Sequence, residues 1–508
     1  MPGDRLSPLD ASFLALEDDS AHMHVASVML FDGKPPNYED LLVGIDERLH
    51  LVPRYRQKLA FVPFNQGRPR WVDDPRLNLR YHVRYTALPD PATEAELRAL
   101  AGRVFSQQLD RDKPLWELWL VEHVEGNRFA MLSKTHHALV DGISGVDIMS
   151  ILFDTQPEPV TPPAPGKRWL PRPLPSSSEL LGEAVLERLT VPAEVVGGMR
   201  ELVSRPITAA RGVRDALVGV GAMAWAGLTP APPSPYNLPI GSHRRFTWVR
   251  ASLADMKAVK NVLGGTVNDV VLATVAGALG RHLRRRGVDT EGLELRAMVP
   301  VSVRGDDAQG ALGNQVAAMM ATLPVRCEDP VTRLDLIHEE MQGLKEGGQA
   351  VGAQVITNLS GFAPPTLMSQ AARLFSRQRF FNLVVTNVPG PQFPLYLMGR
   401  EMVDMFPMVP LAGGQALGVA IMSYNGHMNF GLVGDYDAMS DIEELADDFR
   451  ASLEDLADAA DVKVKLERPK KPVRMTAGGG SRRPRGATRP GSRRGRRAAD
   501  ARNGGSSG

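Results

Sequence analysis

The stretch Lys134-Thr135-His136-His137-Ala138-Leu139-Val140-Asp141-Gly142 holds the residue types that can do chemistry in this chain. A neutral imidazole accepts a proton near pH 7 when a hydrogen bond to its other ring nitrogen fixes the tautomer. Successive strand side chains point to opposite faces, so His136 and His137 are not expected to reach one substrate or one metal ion together. One of them is then the reagent and the other its support. Asp141 lies four positions beyond His137. A buried carboxylate left alone costs several kcal/mol, so an arginine is expected to meet it.

The elements around this stretch must hold it at a junction. Residues 128–133 read as a strand, and Ile143, Val146, Met149 and Phe153 recur at helical spacing. The two histidines are therefore expected where a strand gives way to a helix, with residues 118–124 as the strand before. Other chemistries fit less well. Gly142-Ile143-Ser144-Gly145-Val146 lacks the last glycine of a nucleophile elbow, and no glycine loop of the P-loop or dinucleotide type is present. Cys327 is the only cysteine, which excludes an intrachain disulfide and a cysteine cluster for zinc or iron–sulfur ligation. No metal and no cofactor are expected.

A chain of 508 residues can bury a large core and usually divides into two or three domains. Its 43% apolar and 23% charged residues are ordinary for a globular protein. The net charge of +1 hides a division: from residue 468 onward 13 Lys and Arg stand against one Asp, leaving 46 basic and 57 acidic residues for the body. That tail has almost nothing to bury and is expected to be disordered. Its charge suits anionic lipid headgroups, or nucleic acid without sequence preference. Residues 1–5 lack the basic and apolar regions of a secretory signal. The uncharged run 216–242 is apolar only over 216–228, short of the roughly 20 residues that cross a bilayer. The expectation is a cytoplasmic protein, not secreted and without a transmembrane helix.

Along the chain, residues 23–31 read as a strand, 38–52 and 93–108 as helices, and 59–64 as a strand after the basic trio Arg54, Arg56 and Lys58. Such a trio either meets a phosphate or is a solvated or structural charge run. Residues 154–175 are proline-rich and read as a linker. Residues 176–226 have a helical pattern with basic residues, suited to packing on the protein or lying in a membrane interface. Further strands are expected at 245–249, 293–303, 313–323 and 381–386, and helices at 253–263, 266–286, 330–346 and 440–462. Thr266 or Asn268 is suited to cap the second of these helices. Asn425-Gly426, between apolar runs 417–423 and 427–433, signals a hairpin. Periodicity alone thus gives an α/β protein.

His136-His137 followed by Asp141-Gly142 resembles the HHxxxDG signature of the CoA-dependent acyltransferase superfamily. Ser7-Pro8-Leu9-Asp10-Ala11-Ser12-Phe13-Leu14 with Met23-His24-Val25 resembles the start of the bacterial wax ester synthase/acyl-CoA:diacylglycerol acyltransferase family. Pro114-Leu115-Trp116-Glu117, Val267-Asn268-Asp269-Val270-Val271-Leu272-Ala273 and Val385-Thr386-Asn387-Val388-Pro389-Gly390-Pro391 resemble its further motifs, in order, and the likeness runs to about residue 465. The resemblance implies two chloramphenicol-acetyltransferase-like domains with mixed sheets, joined by a helical linker, with an active-site channel between them. The divisions would be 1–154, a linker at 155–238, 239–467, and the tail at 468–508.

The resemblance also implies acyl-CoA as co-substrate, diacylglycerol or a fatty alcohol as acceptor, and a place at a membrane or lipid-droplet surface, with no specific nucleic acid. It assigns His137 as general base, His136 as its support, and Asp141 as a structural partner of Arg304. Gly142, Pro114, Leu115, Trp116 and Asn268 would belong to the substrate site, where Trp116 either walls an acyl channel or, as a large apolar ring more often does, packs in the core. Base catalysis contributes about 10² to 10⁴ in rate, so positioning of both substrates must supply much of the rest. No acyl-enzyme is required. Two other readings stay open: an acyltransferase fed by a carrier protein, and a non-catalytic lipid-surface protein.

Overall fold

Period-two and period-3.6 patterns alternate along the chain, and the computed structural model, which describes residues 5–140, 151–163, 169–186, 230–302, 316–346, 379–464 and residue 466, turns them into two six-stranded mixed sheets with helices against them. The first half runs α1 (Pro8–Leu16), β1 (His24–Asp32), α2 (Tyr38–Arg48), β2 (Gln57–Ala60), β3 (Arg70–Asp73), α3 (Leu79–His82), β4 (Val83–Thr86), α4 (Glu94–Phe105), β5 (Trp116–Val124), β6 (Arg128–His136) and α5 (His137–Val140). A helix over 177–186, α6, follows the proline-rich stretch. The second half runs β7 (Arg244–Ser252), α7 (Leu253–Leu263), α8 (Val267–Arg285), β8 (Leu295–Ser302), β9 (Val316–Leu323), α9 (Pro330–Glu346), β10 (Leu383–Pro389), β11 (Tyr396–Leu397), β12 (Arg400–Met408), β13 (Leu417–Tyr424), β14 (His427–Asp435) and α10 (Ile442–Ala459).

Local chemistry sets several boundaries. Thr93 with Glu96, and Thr266 with Asp269, form reciprocal capping boxes that satisfy the first free N–H groups of α4 and α8. The helix expected over 38–52 stays α-helical only to Arg48 and tightens into a 3-10 turn before Pro53, whose ring cannot continue it. The strand expected at 59–64 is corrected to 57–60, because Pro63 ends the pairing and Phe64 and Asn65 take positive φ. Only 176–186 of the helical stretch 176–226, and little of the helix expected at 143–153, fall within the described residues.

The first sheet has the order β11-β12-β1-β6-β5-β4 and the second β7-β14-β13-β10-β8-β9. β11 and β12, far along the second half, complete the sheet of the first. β12 pairs antiparallel with β1 from Ala26↔Met408 to Phe31↔Met402. Behind this crossing the halves share a packed core in which Trp248 of β7 stacks on Phe406 of β12 at 4.6 Å. Arg250 spans the same seam, donating to both carboxylate oxygens of Glu94 on α4 and to Asp404 on β12. A buried cation needs such partners. On the other side of the second sheet, α8 is buried from Asp269 to Gly280.

Among the described residues no single helix is long and apolar enough to cross a membrane. The α7–α8 pair matches a bent span by composition, but its apolar residues are spent on the core.

Candidate active site

β1 and β6 pair so that His24 faces His136 and Ala26 faces Lys134. On this face both strands abut the C-terminal end of α4, whose last carbonyls have no partner within the helix. Lys134, wholly buried, donates from Nζ to Val104 O (3.2 Å) and Gln107 O (2.9 Å) and stands 3.3 Å from Glu117. Burial lowers its pKa, with Glu117 opposing. His24 Nε2 lies 2.8 Å from Phe105 O. Burial and then Lys134 hold His24 well below the ordinary histidine range, so the ring is neutral and donates to that carbonyl. Two donors thus cap the helix end and fix the strands that lead to the histidine pair.

β6 ends at His136, and His137 opens a helical turn instead of continuing the strand. The separation of the two rings expected from strand alternation is thus set by the turn. His136 is 1% exposed. Its N–H donates to Leu115 O (3.0 Å), and its ring Nδ1 accepts from the Ala138 N–H (3.1 Å). With Nδ1 accepting, a ring proton sits on Nε2, which faces Glu17 Oε2 at 3.4 Å. Glu17, at the C-cap of α1, has a side chain only 1% exposed and takes a hydrogen bond from Arg111 Nε (2.9 Å). Burial pushes its carboxyl up, but His136 and Arg111 outweigh that and bring it down to about 2.

His137 is half-buried. Its N–H donates to Met23 O (2.9 Å), and its ring stacks on Phe13 at 3.9 Å and 23°. Phe13 and Glu17 are four residues apart on α1, hence on one face. That face meets both histidines.

Leu115 and Trp116 were expected to line the substrate site; the structure puts both in the first-half core and Pro114 buried beside them. Trp116 donates from Nε1 to Tyr55 O (2.9 Å) and stacks on His82 at 4.5 Å, which leaves no ring face for a channel wall. The stretch reaches the site through its backbone, since the Leu115 carbonyl holds His136. Thr266 takes the cap of α8, so Asn268 is not the cap; its Oδ1 accepts from Asn387 Nδ2 (3.2 Å), joining two of the quoted motifs. The basic trio is packed: Arg54 lies over Trp71, Arg56 over Trp169, and Lys58 stands 3.9 Å from Asp74. Asp141, Gly142 and Arg304 lie outside the described residues. Glu17, Phe13, Arg111 and His24 were not singled out as site residues from sequence. Three of them lie in or just after the quoted N-terminal stretch, whereas nothing local marks Arg111. Among the described residues no group of three or more His, Cys, Asp or Glu is placed to hold a metal ion.

Residues 6–271 match the wax ester synthase/diacylglycerol acyltransferase catalytic domain, and residues 312–457 match the WS/DGAT C-terminal domain. A probable diacylglycerol O-acyltransferase of Mycobacterium tuberculosis is 33% identical over 451 residues, covering 87% of this chain and 93% of that protein. A putative diacylglycerol O-acyltransferase of Mycobacterium bovis is 32% identical over 475 residues, covering 90% of this chain and 100% of that one. The structure of a wax ester synthase/diacylglycerol acyltransferase from Marinobacter aquaeolei VT8 superposes with a TM-score of 0.64 at 27% identity, over 90% of this chain and 100% of that one. The first condensation domain of the calcium-dependent antibiotic synthetase shares the fold at a TM-score of 0.56 and 16% identity, over 92% of this chain and 99% of that one.

Proposed function

Because the chain belongs to the wax ester synthase/diacylglycerol acyltransferase family, we propose that it moves a long-chain acyl group from acyl-CoA to diacylglycerol, forming triacylglycerol, and also to long-chain alcohols, forming wax esters. His137 acts as the general base. It takes the proton from the acceptor hydroxyl while that oxygen attacks the thioester carbonyl. Collapse of the tetrahedral intermediate breaks the C–S bond, and the departing CoA thiolate recovers the proton from the imidazolium. The ester forms without an acyl-enzyme, and His136 supports the turn.

One observation supports this division of labour above others. His136 is buried with Nδ1 accepting the Ala138 N–H and Nε2 turned to the Glu17 carboxylate at 3.4 Å, whereas His137 sits half-buried on the turn beyond the strand. Purified protein incubated with long-chain acyl-CoA and either diacylglycerol or a fatty alcohol should release free CoA only when acceptor is present. His137→Ala should lower that release about 10²- to 10⁴-fold. Full activity in this variant, or no release with any acceptor, would overturn the reading; release only from a carrier-protein donor would redirect it.

The acceptor is insoluble in water, and the enzyme works at a membrane or lipid-droplet surface. Phe64 (82% exposed) and Phe61 flank Val62, which packs on Leu180 and Ala184 of α6, and Leu186 on the same helix is exposed as well. Isolated exposed apolar residues are common, but several near one another mark an interaction face. Phe64→Asp should reduce co-flotation with diacylglycerol-containing vesicles. Equal flotation of the two proteins would remove this face from the account.

A further inference from the structure

A carboxylate at the C-terminal end of a helix opposes the helix dipole, and burying it adds a desolvation cost. Glu17 carries both penalties at the end of α1. Local rules broken together in this way mark places where the rest of the molecule supplies a compensating purpose. Here the compensation comes from two groups, Arg111 and His136, and the second of these belongs to the pair that carries the chemistry.

The geometry points to Glu17, anchored by Arg111, as a positioning residue for acyl transfer: it keeps the His136 proton on Nε2, so that Nδ1 accepts the Ala138 N–H and the turn presenting His137 is fixed. This rests on His137 being the base. If the proton moved to Nδ1, two donors would face each other across 3.1 Å and the turn would have to open. Two neighbours among the described residues are already engaged. His24, its partner across the strand pair, is neutral and engaged with Phe105 O; Lys134 on the same face is a donor held by two carbonyls and Glu117. Phe13, one turn earlier on α1, stacks on the His137 ring, so a single helix face sets both imidazoles. The arrangement is that of a carboxylate orienting an imidazole, one step removed, because the oriented ring holds the backbone of the base and not the base itself.

The test is Glu17→Gln in protein with ring-¹⁵N histidine. The amide can turn its NH₂ towards His136, which removes the preference for a proton on Nε2. Nitrogen chemical shifts should show the His136 proton leaving Nε2, and kcat should fall about 10- to 100-fold with the KM for acyl-CoA little changed. A role limited to fastening α1 would lower the unfolding temperature but leave the tautomer in place. An unchanged tautomer, or an unchanged kcat, overturns the proposal. His136→Asn and His136→Leu decide the matter if Glu17→Gln fails to fold: Asn offers an oxygen near the place of Nδ1 and should keep most of the activity that Leu loses, and equal loss in both overturns it. The tautomer is read without substrate. A wild-type protein that transfers no acyl group would sink the acyltransfer reading while leaving the ring result standing.

Discussion

The hairpins β5–β6 and β13–β14 sit near the middle of their sheets and pair over similar lengths, yet their interiors differ. Leu417, Val419, Ile421, Met428, Phe430 and Leu432 of the second hairpin all lie in the core beneath α8 and α10. Each large side chain so buried contributes roughly 1.5–3 kcal/mol. The first hairpin begins in the same way, with Phe129 and Met131 in a core beside Leu118 and Leu120, but its open end buries Glu117, Lys134 and His136. Polar burial of this kind is costly unless every group is paired, and these are tied to α4, to α1 and to one another. One hairpin therefore secures the fold, and the other uses stability to hold a ring in place.

That contrast can be broken from either side. The largest loss of stability is expected from Phe430→Ala, about 3–5 kcal/mol by denaturant titration, with kcat per folded molecule unchanged. A kcat that falls in step with stability would show that the second hairpin also shapes the site. Lys134→Met should cost less, about 2–3 kcal/mol, because Glu117 keeps Arg84 as a partner and the Val104 carbonyl keeps the Gln107 N–H, while the Gln107 carbonyl loses the Lys134 donor. Its kcat should nevertheless drop, since the strand that ends at His136 loses its anchor; retention of full activity would erase the distinction. The smallest effect belongs to Glu17→Gln, which conserves volume and one oxygen. The folded-state pKa of Glu17 is depressed from 4.5 to about 2. Its contribution is therefore complete above the unfolded value and lost as pH falls through the folded one. Urea midpoints of wild type and variant should differ above about pH 4.5 and converge towards pH 2. A gap that widens in acid would contradict the ion pairing.

Much of this was legible in the sequence where a signal is local. The helix at 253–263 is bounded by the Ser252 cap and by Gly264 at positive φ, and the Asn425-Gly426 turn takes the positive φ values that such a dipeptide allows. The position of the histidine pair at the end of a strand was equally plain. Trp116 shows the limit: sequence marks a large ring beside a turn, but only the partners Tyr55 and His82 decide that it faces the core. Asn268 and Asn387 lie 119 residues apart, and Glu17 and Arg111 lie 94 apart, so neither link leaves a periodic trace. β12 was missed for the same reason.

β12 reaches back across nearly the whole chain to lie beside β1. During synthesis β1 emerges among the first residues, but the neighbour that covers one of its edges is translated only after residue 400. Until then Val25, Ala26, Val28, Met29, Leu30 and Phe31 form an open apolar edge, the kind of surface to which another chain readily adds. A nascent polypeptide of this sequence must keep that edge shielded through most of its time on the ribosome, and a product ending at residue 395 should be recovered as aggregate, not as an independently folded first half.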